Sequence, residues 1–293
     1  MDVTKGLGRM EFAEADGSLP EVAAAGRAPG ESGVSILHAR FRQGVHFSGE
    51  LCQNLILFPN SQITFDCRLA DRRLRHAPRQ GSLAVCPTGI DCSADGKGSI
   101  DIAMIVVDQA QLSFAAASTF GDYVSLKEHF YADDPALFKI ARQLSHECAA
   151  CYPNGSLFWS ELSFVFMEKL LKGYSASTSE RPAGSLDQFV LRRVRQYIIA
   201  HLSEPLDIPS LAGVAGCSPF HFARVFVRST GMSPHRYVIQ HRLRHALELI
   251  RDKRLPLADI AASTGFSDQS HMSRWIKRVY GVSPSQAKGS HRI

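Results

Sequence analysis

Long apolar runs are missing from this chain of 293 residues, and none approaches the roughly 20 residues that a membrane-spanning helix needs. No membrane association is therefore expected. The opening Met1 to Gly8 holds no apolar stretch of the kind a secretion signal carries, so no signal peptide is expected. A disulfide framework is missing too. The seven cysteines are odd in number and irregular in spacing, which points to a reducing cytoplasm. Cys52, Cys67, Cys86 and Cys92 are too unevenly placed for a zinc cluster, and no cofactor is expected.

What the chain does have is enough apolar residues for real cores, 45% of the total, over a length that suits about two domains. Charge divides them. From Ser185 onward 16 Lys and Arg face 7 Asp and Glu, whereas residues 1–184 carry 17 against 21. An acidic front and a basic back fit a nucleic-acid-binding module joined to something else. The stretch 174–185, small, polar and broken by Pro182 and Gly184, reads as the linker. It separates residues 1–173 from residues 186–293.

The front part begins with a Gly-, Ala-, Glu- and Pro-rich segment that is expected to be loosely ordered to about Ser32. Over 34–107 the pattern alternates at period two, as in Val34 to Arg42, Ile63 to Cys67 and Ile100 to Val107. Turn signals at Pro59-Asn60, Ala70-Asp71, Pro87 to Gly89 and Asp95-Gly96 separate the runs, which predicts a small antiparallel barrel or sandwich. Over 108–173 the period becomes helical. One helix is expected from Asp133 or Asp134, with Pro135 in its first turn, and another from Leu157 to Leu171. Their apolar residues exceed one narrow stripe, so they either lie between the barrel and a partner subunit or simply cover the barrel. Cys148 and Cys151 have redox spacing within the first of these helices. Three-residue separation on a helix makes them either two small buried residues or a thiol switch.

The back part contains one segment twice. Ala212, Gly216 and Ser218 precede an amphipathic stretch, and Ala261, Gly265 and Ser267 precede another. Both stretches end in Gly-x-Ser-Pro, at Gly231 to Pro234 and Gly281 to Pro284. A helix, a tight turn and a second helix form the unit that places a helix in the DNA major groove. Ser218 is the natural N-cap of the first such helix, with Pro219 in its first turn. Phe222, Val225 and Phe226 form its inward face; Met272, Trp275, Ile276 and Val279 form that of the second. Phe220, His221, Ala223, Arg224, Val227 and Arg228 lie away from the first face, and Gln269, Ser270, Ser273, Arg274 and Lys277 away from the second. Arg224 matches Arg274. Arg donates twice to guanine, and Gln, Ser and His serve other base edges. Phe220 packs either on a thymine methyl or on the preceding helix. Ser218, His221, Arg228, Ser267, His271, Lys277 and Arg278 are assigned to phosphates, which position without reading sequence. A long helix from Pro234 to Arg251, apolar at Tyr237, Leu243, Ala246, Leu247 and Ile250, is expected to hold the two units in successive grooves, about 34 Å apart.

These residues resemble the DNA-binding domain of the AraC/XylS family of transcription regulators over Leu186 to Lys288. The likeness is carried by Ile208 to Ala212, Gly231 to Pro234, the Arg242-Leu243 helix, Asp259-Ile260-Ala261, Gly265 to His271, Lys277 and Gly281 to Pro284. It departs at Met272 and Ile276, where an aromatic is more usual. The resemblance implies an all-helical domain of two helix-turn-helix units on double-stranded DNA, with base contacts at Phe220, Ala223, Arg224, Ser270, Ser273 and Arg274, to which the outward Gln269 is added. The front part is similar in layout to the cupin-like effector and dimerisation domains of such regulators, which gives an α+β chain overall. His38, His46 and Glu50 do not fit the metal-binding cupin pattern, and no metal is expected. The expected function is a cytoplasmic, non-enzymatic regulator, an activator that answers to a small-molecule effector in the barrel and works with RNA polymerase, with a homodimer possible. The alternatives are a regulator controlled by abundance or a protein partner, and a DNA-repair enzyme fused to this module.

Overall fold

A computed structural model describes residues 11–14, 16–27, 30–62, 64–69, 72–120, 125–176 and 184–288. Most of the expected linker, 177–183, and the turn at 70–71 lie outside them. The strands are β1 (Glu11–Glu14), β2 (Glu21–Gly26), β3 (Val34–Phe41), β4 (Val45–Glu50), β5 (Asn54–Pro59), β6 (Phe65–Leu69), β7 (Arg72–His76), β8 (Ser82–Cys86), β9 (Asp91–Gly96) and β10 (Ile100–Val107). Helix α1 (Gln109–Phe120) follows, then the short strands β11 (Ser125–Leu126) and β12 (His129–Asp133), helices α2 (Pro135–Ala149) and α3 (Gly155–Tyr174), and strand β13 (Ser175–Ala176).

The strands form two antiparallel sheets, ordered β1-β4-β9-β6-β7 and β12-β8-β5-β10-β3-β2, besides the small β11-β13 pair. Among the described residues no ladder joins the two larger sheets, so the barrel is open. Composition predicted a loose opening segment, but its described part holds two strands: β1 pairs with β4 and β2 with β3, while residues 1–10 lie outside the described residues. Composition hides this because an edge strand needs only one neighbour's backbone, and Ala and Glu leave no alternation to see. Strand β12 likewise interrupts the region expected to be helical and borders β8. In the five-stranded sheet one border is β7, the Arg-rich edge Arg72-Arg73-Leu74-Arg75, where charge discourages pairing with another chain.

Alternation decides what each face buries. Leu37, Ala39 and Phe41 turn from β3 into the space between the sheets, where Phe47, Leu51, Leu57, Phe65 and Met104 fill it. Val34 and Ile36 turn the other way, against α1, α2 and α3. Cys67, Cys86 and Cys92 meet in the inter-sheet core despite their irregular spacing. Burial pushes the Cys67 thiol up to about 12 and that of Cys92 to about 11. Helix α2 starts where expected, with the Asp134 carboxylate accepting from the Leu137 N–H. It ends at Ala149, so Cys151 lies beyond it and is exposed, while Cys148 is buried near the Tyr152 hydroxyl at 3.6 Å. The two cysteines do not share a helix face, which corrects the reading of them as a buried pair.

The C-terminal part is all helical: α4 (Gln188–Ala200), α5 (Ile208–Ala215), α6 (Pro219–Thr230), α7 (Pro234–Asp252), α8 (Leu257–Ser263), α9 (Gln269–Tyr280) and α10 (Pro284–Ala287). It has two cores, one per helix-turn-helix unit, and each takes in at least one side chain from the front part. Phe114 and Ala117 of α1 join Phe222, Phe226 and Tyr237 in the first. Leu157 of α3 joins Leu243, Met272 and Ile276 in the second. Helices α2 and α3 cover the six-stranded sheet, as one of the two sequence alternatives has it, while Leu157 of α3 and the flank of α1 are met by the chain's own C-terminal helices, which the sequence reading did not foresee. Among the described residues no helix is long and apolar enough to cross a membrane.

Candidate DNA-binding interface

Each unit consists of a short helix, a turn and a twelve-residue helix: α5 with α6, and α8 with α9. In the first, the Ser218 hydroxyl caps α6 by accepting from the His221 N–H, and Pro219 occupies the first turn. In the second, the cap is Asp268, whose carboxylate accepts from the His271 N–H at 2.7 Å. That bond, joined by the Ser267 hydroxyl, holds the Asp268 carboxyl below the usual carboxylate range. Counted from the turn glycines, the cap comes two residues after Gly216 but three after Gly265, so Ser267 is not the structural equivalent of Ser218. Shared Ala, Gly and Ser letters had aligned the two serines, whereas the helices themselves are offset by one further position.

The Gly-x-Ser-Pro segments repay the same inspection. Gly231 and Gly281 end α6 and α9 in the left-handed region at φ 72°, and Ser233 and Ser283 then cap α7 and α10. The motif is a stop followed at once by a start. Gly265, in the second turn, has no freedom to be anything else. It sits at φ 79°, and a Cβ there would stand 2.1 Å from the Leu202 carbonyl oxygen. Arg242 of α7 donates to the Leu202 and Glu204 carbonyls at 2.9 and 2.7 Å, fastening the loop before the first unit beside the turn of the second.

The inward faces are buried as read, with one exception. Phe222, Val225, Phe226, Met272, Ile276 and Val279 are buried, but Trp275 is only half-buried. Its indole N–H donates to His271 Nε2 at 3.0 Å, and the Arg278 guanidinium lies 5.1 Å from its ring. Because indole can only donate, His271 Nε2 accepts, and Nδ1 carries the proton toward the Ser267 hydroxyl at 3.1 Å. Both nitrogens of His271 are spent inside the unit, so the ring braces Trp275 and the turn.

On the outward faces, Arg224 and Arg274 are both exposed, as are Gln269, Ser270 and Lys277. The Ser273 hydroxyl donates to the Gln269 carbonyl at 2.7 Å, which leaves its oxygen free to accept. Phe220 is 82% exposed, so it does not pack on the preceding helix. Ala223 is half-buried, and His221 and Arg228 are exposed. Arg228 reaches the linker end, where a Cβ on Gly184 would meet its guanidinium at 2.6 Å.

The front part grips both units at their helix ends. Ala110 of α1 abuts Gly231, whose Cβ would lie 2.8 Å from the Ala110 Cα. At the second unit the Glu31 N–H donates to the Val279 carbonyl at 2.8 Å, and the Ser156 hydroxyl donates to the Tyr280 carbonyl at 2.5 Å. The Glu31 carboxylate also takes Arg236 at 2.8 Å and Arg278 at 3.6 Å. Sequence reasoning missed Glu31, since nothing local marks a carboxylate that meets arginines more than two hundred positions away. Arg244 lies 4.3 Å over the Phe164 ring, and Arg251 pairs with Glu161. Between them remains a cavity of about 290 Å³ lined from both parts. In the first unit His241 is packed between Phe114 and Tyr237, and burial drives its imidazole down to about 3, with the Arg244 and Arg195 charges adding to the shift.

In the front part, His38 Nε2 lies 2.6 Å from Asp101 and His46 Nδ1 2.7 Å from Asp95. Among the described residues no group of three or more His, Cys, Asp or Glu is placed to hold a metal ion.

Residues 211–289 match the family model described as a helix-turn-helix domain. The chain is similar to the probable transcriptional regulator LumQ of Photobacterium leiognathi, 36% identical over 93 residues, which cover 32% of this chain and 38% of that protein. It is also similar to the HTH-type transcriptional activator RhaR of Klebsiella pneumoniae subsp. pneumoniae, 29% identical over 148 residues, covering 50% of this chain and 52% of RhaR. The chain thus spans about half or less of the length of these relatives. Among solved structures, a probable AraC family transcriptional regulator from Rhodopseudomonas palustris is 32% identical, with a TM-score of 0.32, and the match covers 36% of this chain and 99% of that one. The matched stretch is the one that holds both helix-turn-helix units, and with their shared caps and inward faces it makes residues 211–289 a helix-turn-helix domain.

Proposed function

We propose that this chain is a sequence-specific DNA-binding transcription regulator, an activator whose front domain senses a small molecule and biases the DNA-binding domain. One observation carries the reading: two capped helices with buried inward faces present Arg224 and Arg274 at matched outward positions. In this reading α6 and α9 enter successive major grooves. Base edges fall to Phe220, Ala223, Arg224, Gln269, Ser270, Ser273 and Arg274. Phosphates fall to Ser218, His221, Arg228, Ser267, Lys277 and Arg278, with His271 acting through the turn that it braces. Residues 1–173 form the sensing domain, 174–185 the linker and 186–293 the DNA-binding domain.

The sensing role is supported by the grip of the front domain on the ends of both recognition helices. Any ligand that binds the gripped and released forms unequally changes DNA affinity, and DNA changes the ligand's affinity by the same factor. As an activator the chain would also meet RNA polymerase. The named activator role of RhaR favours that sign.

Selection of duplexes from a random pool by the full chain tests the reading. The expected outcome is one asymmetric site with two unequal halves about one helical turn apart. Recovery of duplexes with no common sequence would overturn it.

A further inference from the structure

We propose that the cleft between the six-stranded sheet and helix α2 is a binding site for a small organic monocarboxylate. The space between the two sheets, where an effector was expected, is filled by Phe41, Phe47, Phe65 and their neighbours. The cleft under α2 is open, with a volume of about 380 Å³. That is room for a compact small molecule.

Its chemistry is set by which polar groups are already satisfied. On the sheet side the only carboxylate in the cleft, Asp101, is spent. Its oxygens take Asn60 Nδ2 at 2.7 Å, His38 Nε2 at 2.6 Å and Arg40 Nε at 3.1 Å. On the α2 side the groups are free. Arg142 and His146 stand four positions apart, one above the other on the helix, and neither has an ion-pair or hydrogen-bond partner among the described residues. Between them the Ser145 Oγ is buried without a partner. A guanidinium, an imidazole and a neighbouring buried hydroxyl without a partner thus line one cleft, and their donors suit an anionic oxygen pair.

Apart from Gln80 at the rim, which is exposed, the remaining walls are apolar. The Phe58 and Phe138 rings lie 6.1 Å apart, and Ala103, Ala141 and Ala149 make the room. A bare inorganic anion would leave these walls uncovered. A dianion is disfavoured from the far side of Arg142, where Asp133 and Asp134 line an adjoining cleft. The ligand class that satisfies both halves is one carboxylate on a compact aromatic or branched body.

The cleft is also connected to the DNA-binding domain. Beyond α2 the chain turns through Cys151 and Tyr152 at φ 58° and 61°, a conformation that side chains adopt at a cost. The Tyr152 ring then meets Trp159 edge-on at 5.2 Å, and the Trp159 indole donates to the Ser32 hydroxyl at 3.0 Å, next to Glu31. Only this consequence for DNA, not the binding itself, rests on the sensing role proposed above.

Calorimetric titration of the full chain with phenylacetate and isovalerate tests the site, with phenylacetamide as the uncharged control. Saturable binding of an acid is expected, with the amide at least about tenfold weaker because a charge-assisted bond is lost. Arg142→Gln, on an exposed position, should weaken the acid by about tenfold and abolish its advantage over the amide while leaving the unliganded melting temperature unchanged. Ser145→Ala should weaken it a few-fold. The proposal is overturned by no binding of either acid at millimolar concentration, by an amide that binds as well as the acid, or by full affinity in Arg142→Gln. DNA affinity is read in the same samples: binding of the acid without any change there would keep the site and remove the sensing role.

Discussion

Helices α6 and α9 share a length of twelve residues, a side-chain N-cap and a glycine C-cap at the same φ, and they present opposite surfaces. The first shows Phe220 at 82% exposure and Val227 at 41%, with Arg224 as the only cation in its first two turns. The second shows Gln269, Ser270, Ser273, Arg274 and Lys277. The first unit's core also holds four rings, Phe222, Phe226, Tyr237 and the borrowed Phe114, together with a neutral histidine. The second packs mainly Leu, Met and Ile, with Phe266 as its one fully buried ring among the described residues and Trp275 and Tyr280 at its edge. A common frame thus supports one helix suited to apolar contact and one suited to hydrogen-bonded readout, and discrimination between sequences should be unequal.

The largest effect tests whether the frames are separable. Phe226→Ala empties the centre of the first core and should cost about 3–5 kcal/mol in denaturant unfolding, loosening α1 with it through Phe114. A loss confined to the first unit, with the front domain's contacts intact, would break the picture of a shared core. Next, Arg274→Ala should cost about 1–3 kcal/mol at the selected site and relax preference at one base pair. Arg224→Ala should cost less, measured by fluorescence anisotropy on matched duplexes. Equal losses, or a loss that is the same on random DNA, would erase the asymmetry.

Acid should then single out the first unit. The folded His241 imidazole, at about 3, lies below its unfolded value near 6.5. The unfolded chain therefore binds the proton first, and stability present above about pH 6.5 falls as pH drops toward 3. Between pH 7.5 and 5.5 the loss from this group should be about 1.4 kcal/mol, and His241→Phe should remove that slope from the unfolding profile. The smallest effect belongs to the second unit. Glu31→Gln frees Arg236 and Arg278 from a partly exposed carboxylate, and DNA affinity should rise by up to about fivefold, the worth of such pairs. An unchanged or lower affinity would show that Glu31 does not restrain the second helix.

Much of the back half was legible because a repeat checks itself: buried positions had to agree between copies, and Phe222 with Met272 and Phe226 with Ile276 do so. The one-residue slip at Asp268 was not legible, since matching letters concealed a different cap. Trp275 was misplaced for a related reason, as its ring is apolar enough for a core while its N–H seeks the nearby His271. In the front half the alternating strands could be read. Strands β1 and β2 could not, because their order comes from neighbours rather than from pattern. Glu31 and the borrowed Phe114 and Leu157 depend on contacts across the whole chain, which no local window contains.

Those borrowed side chains bear on how the molecule is made. Synthesis proceeds from the N-terminus, and the front domain can fold before the rest exists. Until the residues after Ser185 emerge, which takes about 5–20 s at ordinary elongation rates, Phe114, Ala117 and Leu157 have no cores to enter. The nascent chain carries a sticky flank through that interval. Slowing elongation beyond the linker should therefore raise the fraction lost to aggregation during translation, even though the finished protein shows no such surface there.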